Sequence, residues 1–268
     1  MSIMGAVDLF RANPRGATGP GGRMAIVDHL RELRARLLRS GLFLIVAFCV
    51  ALLFYHQLLN LVLHPYNQAR QMLGQSTQTR AYVAGATGPI MLQLKLCGVA
   101  AVAVSSPYWL YQIWAFVMPG LRPTERRWTR IFCAVAGPLF LAGIVTGYFV
   151  LPKGLQVLIS FTPHGVQNLI EFDSYVTFLT RMLLVFGISF EIPLFVVLLN
   201  LAGMLSGATL AKHRSWIIMG TFVFAAVATP STDPFSMLML GIPMMVLFLI
   251  AEVVSRILDR RKRNRLHI

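Results

Sequence analysis

Six apolar stretches, most of about twenty residues or more, constrain this chain more than any other feature. They run approximately over residues 37–57, 90–118, 128–151, 174–201, 216–229 and 235–255. A bilayer's hydrocarbon core is about 30 Å thick and is crossed by about 20 apolar residues in a helix. Backbone groups in lipid have no water to bond, so segments of this kind become helices that satisfy their own N–H and C=O groups. The rest of the composition agrees: 56% of the 268 residues are apolar, 13% are charged, and mean hydropathy is +0.67. A soluble domain carries about 25% charged residues. The net charge of +14 does not make a nucleic-acid binder, because such proteins keep a polar body behind their basic face.

The excess charge is informative by its position. Lys and Arg in successive segments outside the spans number seven, two, four, one, two, none and six, counting Arg39 and Arg130 at the span edges with their flanking segments, and Lys95 and Arg181 lie well inside spans. Assigning alternate segments to the cytoplasm puts 19 basic residues there and three outside, the bias of the positive-inside rule. The expectation is an all-α membrane protein of six transmembrane helices with both termini cytoplasmic. Prolines 107, 119, 138, 193 and 243 in or beside the spans bend helices by removing a backbone hydrogen bond, so the bundle is expected to be bent and concave. Its fifth and sixth spans are short; 14 residues of helix cover only about 21 Å. Residues 24–257 form the membrane domain, 1–23 a disordered cytoplasmic tail without the apolar core of a secretory signal peptide, and 258–268 a basic cytoplasmic tail. Met24, where organised sequence begins, offers an alternative start.

Between the tail and the first span, residues 28–39 place Leu30, Leu33 and Leu37 at helical spacing among Arg31, Glu32, Arg34 and Arg36. This pattern suits a helix lying in the membrane surface, and Glu32 and Arg36 are placed for an i,i+4 ion pair. The weakly polar segment 58–89 is expected to cap the outer face. The aromatic run 107–116 reads as an interfacial belt, and Gly143 with Gly147 as a close helix contact. Cys49, Cys97 and Cys133 fall in spans without a CxxC pair and read as packing residues.

Three ionisable groups within spans are functional candidates because charge in lipid is costly. Lys95 and Arg181 lie close enough to the outer surface to snorkel; Glu191, mid-span, must be neutral, paired or facing water. No phosphate-binding loop, zinc motif, nucleophile elbow or His/Cys metal cluster is present, so no cofactor, metal or catalytic residue is expected. A proton-coupled solute transporter using Glu191 and Arg181 is the alternative that these residues leave open.

Four segments are more specific than this general pattern. HLRELRAR (His29 to Arg36), SPYWLYQIWAFVMPGLRPTERR (Ser106 to Arg127), FGISFEIP (Phe186 to Pro193) and TPSTDPFS (Thr229 to Ser236) followed by Ile242 and Pro243 resemble, in order, the motifs of the TatC family, the polytopic subunit of the twin-arginine protein translocase. The resemblance implies a non-enzymatic core subunit that binds paired-arginine signal peptides of folded precursors at its cytoplasmic face in the bacterial inner membrane. It implies single-span TatA- and TatB-type partners, a hetero-oligomer of several copies in the bilayer, and drive by the proton-motive force, with no role for nucleic acid. Carried over by motif, Glu32 and Glu125 receive the arginine pair, with Leu33, Arg34 and Phe116 completing the signal-peptide site. Glu191 and Lys95, with Thr229 and Asp233 of the last hairpin, match the intramembrane polar and partner-contact positions. That hairpin departs from the family pattern by one extra residue before Asp233 and by Met237 in place of a glutamine.

Overall fold

The computed structural model describes residues 26–72, 79–117, 126–163, 168–229 and 234–266. In chain order these form α1 (Ile26–Leu53), α2 (Tyr55–Met72), β1 (Thr79–Tyr82), α3 (Gly88–Val117), α4 (Arg126–Ser160), β2 (Asn168–Glu171), α5 (Phe172–Leu201), α6 (Gly207–Lys212), α7 (Arg214–Ala228) and α8 (Pro234–Leu266). Five helices, α1, α3, α4, α5 and α8, are long and apolar enough to cross a membrane; α7 is a shorter apolar helix of 15 residues.

The architecture departs from the sequence expectation at several points. Residues 28–39 do not form a separate surface helix but run without a break into the first span as α1, because nothing between them and the apolar run breaks a helix. The basic C-terminal residues continue α8 as far as Leu266. The fold is also not purely helical. β1 and β2 pair in parallel, Thr79 opposite Asn168 through Tyr82 opposite Glu171. Strands of four residues are too short to show a clear period-2 pattern against their surroundings.

α5 is the central helix. Of its most apolar window 44% is buried inside the protein, against 6% for α1, whose Leu42, Ile45, Val46 and Val50 are exposed. One end of α5 packs Tyr175, Leu179, Met182 and Phe186 against Val62 and Tyr66 of α2, Leu92 and Leu96 of α3, and Leu151 and Leu155 of α4. The other end packs Leu194 and Leu198 with Leu110 and Trp114 of α3 and Phe132, Ala136 and Phe140 of α4. The anticipated glycine contact lies on the α4–α5 crossing: a Cβ on Gly143 would sit 2.6 Å from the Phe186 carbonyl oxygen, and one on Gly147 would sit 3.1 Å from the Phe186 side chain. Cys97 is buried as expected, but Cys49 is exposed on α1, whose outer surface has no protein neighbour to bury it.

Prolines within the helices leave carbonyls that side chains then satisfy. Pro65 lacks the N–H that would bond the carbonyl of Leu61, and the Tyr148 hydroxyl donates to that oxygen at 2.9 Å. Beside it, Tyr175 Oη donates to the Val62 carbonyl at 2.7 Å. These bonds fasten α2, with Val62, Pro65, Tyr66 and Ala69 buried, across α4 and α5. Pro107 likewise deprives the Ala103 carbonyl of its donor, and Ser106 Oγ supplies one at 2.7 Å. Pro119 lies outside the described residues.

Candidate functional site

The last turns of α3 bridge the two most informative acidic residues. Residues two apart on a helix project about 200° apart, so Gln112 and Trp114 reach in opposite directions. Gln112 Oε1 accepts a hydrogen bond from Arg36 Nη1 of α1 at 3.4 Å; Trp114 Nε1 donates to Glu191 Oε2 of α5 at 3.3 Å. Both α3 side chains are buried. The aromatic run is divided between the protein interior and its surface: Trp114 is buried, Trp109 is half-buried, donating to the Val102 carbonyl and stacking edge-on against Phe140, and Tyr111 is exposed.

Around Glu32 the predicted ion pair forms. Arg36 Nε donates to Glu32 Oε1 at 3.0 Å, and Arg36 Nη2 donates to the same oxygen. The other oxygen, Oε2, is buried with no hydrogen-bond partner among the described residues. Leu33 is half-buried and Arg34 exposed, while Phe116, one turn beyond Gln112, is half-buried. The structure thus brings the Glu32 end of α1 to the end of α3 that carries Phe116. Glu125 lies outside the described residues.

Glu191 is partly buried, and its Oε1 has no hydrogen-bond partner among the described residues. Arg181, ten residues earlier on the same helix and so about 15 Å away, is exposed, and the two do not form a joint central site. Lys95 is held rather than merely snorkelling: Nζ contacts the Asp173 carboxylate at 2.6 and 2.7 Å and Thr177 Oγ1 at 3.3 Å. Thr229 is buried at the C-terminal cap of α7; Asp233 lies outside the described residues.

Two polar clusters escaped the sequence reading. Glu252, 1% exposed on α8, accepts from Arg214 Nε and Nη2 at 3.0 and 2.8 Å and contacts Arg256 at 2.6 Å. Nearby, Asp259 accepts from the Gly207 backbone N–H at 2.6 Å and from Asn200 Nδ2 at 3.0 Å. Together they tie the end of α5, α6 and the start of α7 to α8. The available signal was a carboxylate inside the sixth apolar run with Arg256 at i+4; the contribution of Arg214, 38 residues away, had none. Behind these ties Ser189, Val196, Leu210, His213, Ile217 and Phe248 contribute to an apolar cleft of about 290 Å³.

Comparison with known proteins matches this arrangement to one family. The family model for the Sec-independent protein translocase protein TatC matches residues 28–243. The chain is 40% identical over 257 residues to a Sec-independent protein translocase protein TatC of Frankia casuarinae, covering 94% of this chain and 71% of that one. It is 35% identical over 241 residues to the TatC protein of Escherichia coli K12, covering 90% and 91% respectively. A crystal structure of the twin-arginine translocase receptor TatC superposes with a TM-score of 0.70 at 27% identity, covering 85% of this chain and 98% of that one. With a family match spanning most of its length, a relative at 40% identity and a shared fold, this chain belongs to the TatC family of Sec-independent protein translocase proteins.

Proposed function

We propose that this chain is the core subunit of a twin-arginine translocase, taking the paired arginines of precursor signal peptides at Glu32 and Glu125 and docking single-span TatA- and TatB-type subunits around Glu191. The observation that carries the reading is the Glu32 carboxylate. On a chain of net charge +14 it stands between α1 and α3 with one oxygen buried and without a partner among the described residues, and a guanidinium is the side chain that binds both oxygens of a carboxylate at once. Leu33, Arg34 and Phe116 flank it, Phe116 toward the apolar part of the signal. The distribution of basic residues supports six spans, α7 being the fifth, with both termini in the cytoplasm of a bacterial inner membrane. The role is transport rather than catalysis, powered by the proton-motive force.

At Glu191 an unpartnered buried oxygen supports a contact with a polar residue on a partner's transmembrane helix. Lys95, Thr229 and Asp233 belong to the same intramembrane and hairpin set. The decisive experiment is crosslinking of a paired-arginine precursor to membranes containing the chain with Glu32→Ala and Glu125→Ala combined. Loss of arginine-dependent crosslinking is expected; crosslinking at the unsubstituted level refutes the site.

A further inference from the structure

We infer that Arg36 is a specificity-determining residue of the signal-peptide site: a resident guanidinium on Glu32 that an incoming arginine displaces and Gln112 retains. The inference rests on Glu32 being the receiving carboxylate. Two donors of Arg36, Nε and Nη2, converge on the single oxygen Oε1, while Oε2 is buried without a partner among the described residues. A carboxylate and a guanidinium bond most strongly as two parallel N–H···O contacts using both oxygens, and a buried acceptor left unpaired is costly. The resident pairing is therefore incomplete, and a guanidinium that engages both oxygens improves on it.

Displacement does not strand Arg36 among other cations, because Gln112 Oε1 already accepts from its Nη1 at 3.4 Å. Glu32 is held by Nε and Nη2 and Gln112 by Nη1, so the Gln112 contact survives when Nε and Nη2 are released. Gln112 is a neutral acceptor fixed on a neighbouring helix and itself 6% exposed, so it gives the displaced side chain a defined place.

The same geometry discriminates between ligand cations. An arginine exchanges one guanidinium for another and gains the second carboxylate oxygen. A lysine ammonium is a compact point charge without the planar fork, so it must remove a two-donor contact without filling both oxygens. Arg36 thus sets a threshold that an arginine passes and a lysine does not.

The test is titration of the full chain in lipid nanodiscs with a fluorescent peptide bearing paired arginines before an apolar segment, and with its paired-lysine counterpart. Arg36→Gln is expected to bind the arginine peptide about twofold tighter, in line with removal of a competing i,i+4 ion pair. It is also expected to narrow the preference for arginine over lysine. Arg31→Gln removes equal charge from an exposed position on the same helix, and is expected to shift both peptides equally without changing the preference. Arg36→Lys, which keeps the charge and lacks the fork, falls between the parent and Arg36→Gln and serves if the glutamine variant folds poorly.

Weaker binding by Arg36→Gln, or a preference unchanged from the parent, overturns the inference. Glu32→Gln separates the two levels of the argument. If it abolishes arginine-peptide binding while Arg36→Gln weakens it, the role of Arg36 fails and the site stands. If Glu32→Gln binds normally, the site itself fails, and the role of Arg36 with it.

Discussion

Replacing Gly143 by alanine tests whether the α4–α5 crossing holds the central helix in place. The added Cβ would lie 2.6 Å from the Phe186 carbonyl oxygen and 2.9 Å from Gly187 Cα, whereas ordinary contact begins at 3.4 Å. The shortfall against the oxygen is about 0.8 Å, and both neighbours are backbone, so relief requires α5 to move as a body. Overpacking of this kind costs about 1–3 kcal/mol. Alanine's better helix propensity returns at most about 1 kcal/mol, leaving a net loss of about 1–2 kcal/mol. At about 2–4 °C per kcal/mol for a chain of this size, the midpoint of thermal unfolding in detergent should fall by about 2–8 °C. Gly220→Ala on α7 is the control, since nothing lies within 4 Å of its added Cβ; it should leave the midpoint unchanged or raise it. If Gly143→Ala melts with or above Gly220→Ala, the helices are not in the contact described and the reasoning is refuted. Glu191 follows Gly187 by one turn, so the same substitution should also weaken association with partner subunits.

Other expectations follow from the polar contacts. Glu191→Ala should reduce copurification of single-span partner subunits while arginine-peptide binding survives; equal loss of both would point to misfolding instead. Trp114→Phe keeps an aromatic ring but removes the indole donor to Glu191 together with buried volume, so it should weaken partner association and lower the unfolding temperature as well. A double-mutant cycle of Lys95→Met with Asp173→Asn should give a coupling of about 0.3–1 kcal/mol, the range for exposed pairs, because the two side chains are 43% and 31% exposed. Tyr148→Phe should lower the thermal midpoint through loss of the hydrogen bond to Leu61, a bond of about 1 kcal/mol that no backbone donor replaces at Pro65.

The apolar runs placed α3, α5 and the start of α8 within a few residues because lipid-spanning helices are defined by length and composition, both visible in one dimension. The Glu32–Arg36 pair and the glycine contact were legible for the same reason: each depends on spacing along one helix. Gln112 and Trp114 were visible as residues, but their opposite targets depend on how α1 and α5 pack around α3. Arg214 and Asp173 were hidden by separation in the chain, since nothing local marks a partner tens of residues away. α2 was not readable as a helix carrying Pro65 in its interior, because the compensating hydroxyl comes from α4.

The small parallel sheet has a consequence for biosynthesis. Residue 79 meets residue 168, and the intervening chain contains the whole of α3 and α4. Parallel strands need such a crossover, and here it leaves one end of the bundle along α3 and returns along α4. β1 must therefore wait, unpaired, until both helices have been made and inserted and β2 has emerged. A contact of such long sequence separation forms late. Once made, it joins the chain before α3 to the chain before α5, so reversing either helix across the bilayer would first require the strands to part. Four residue pairs thus act as a latch that records the completed insertion of the first half of the molecule.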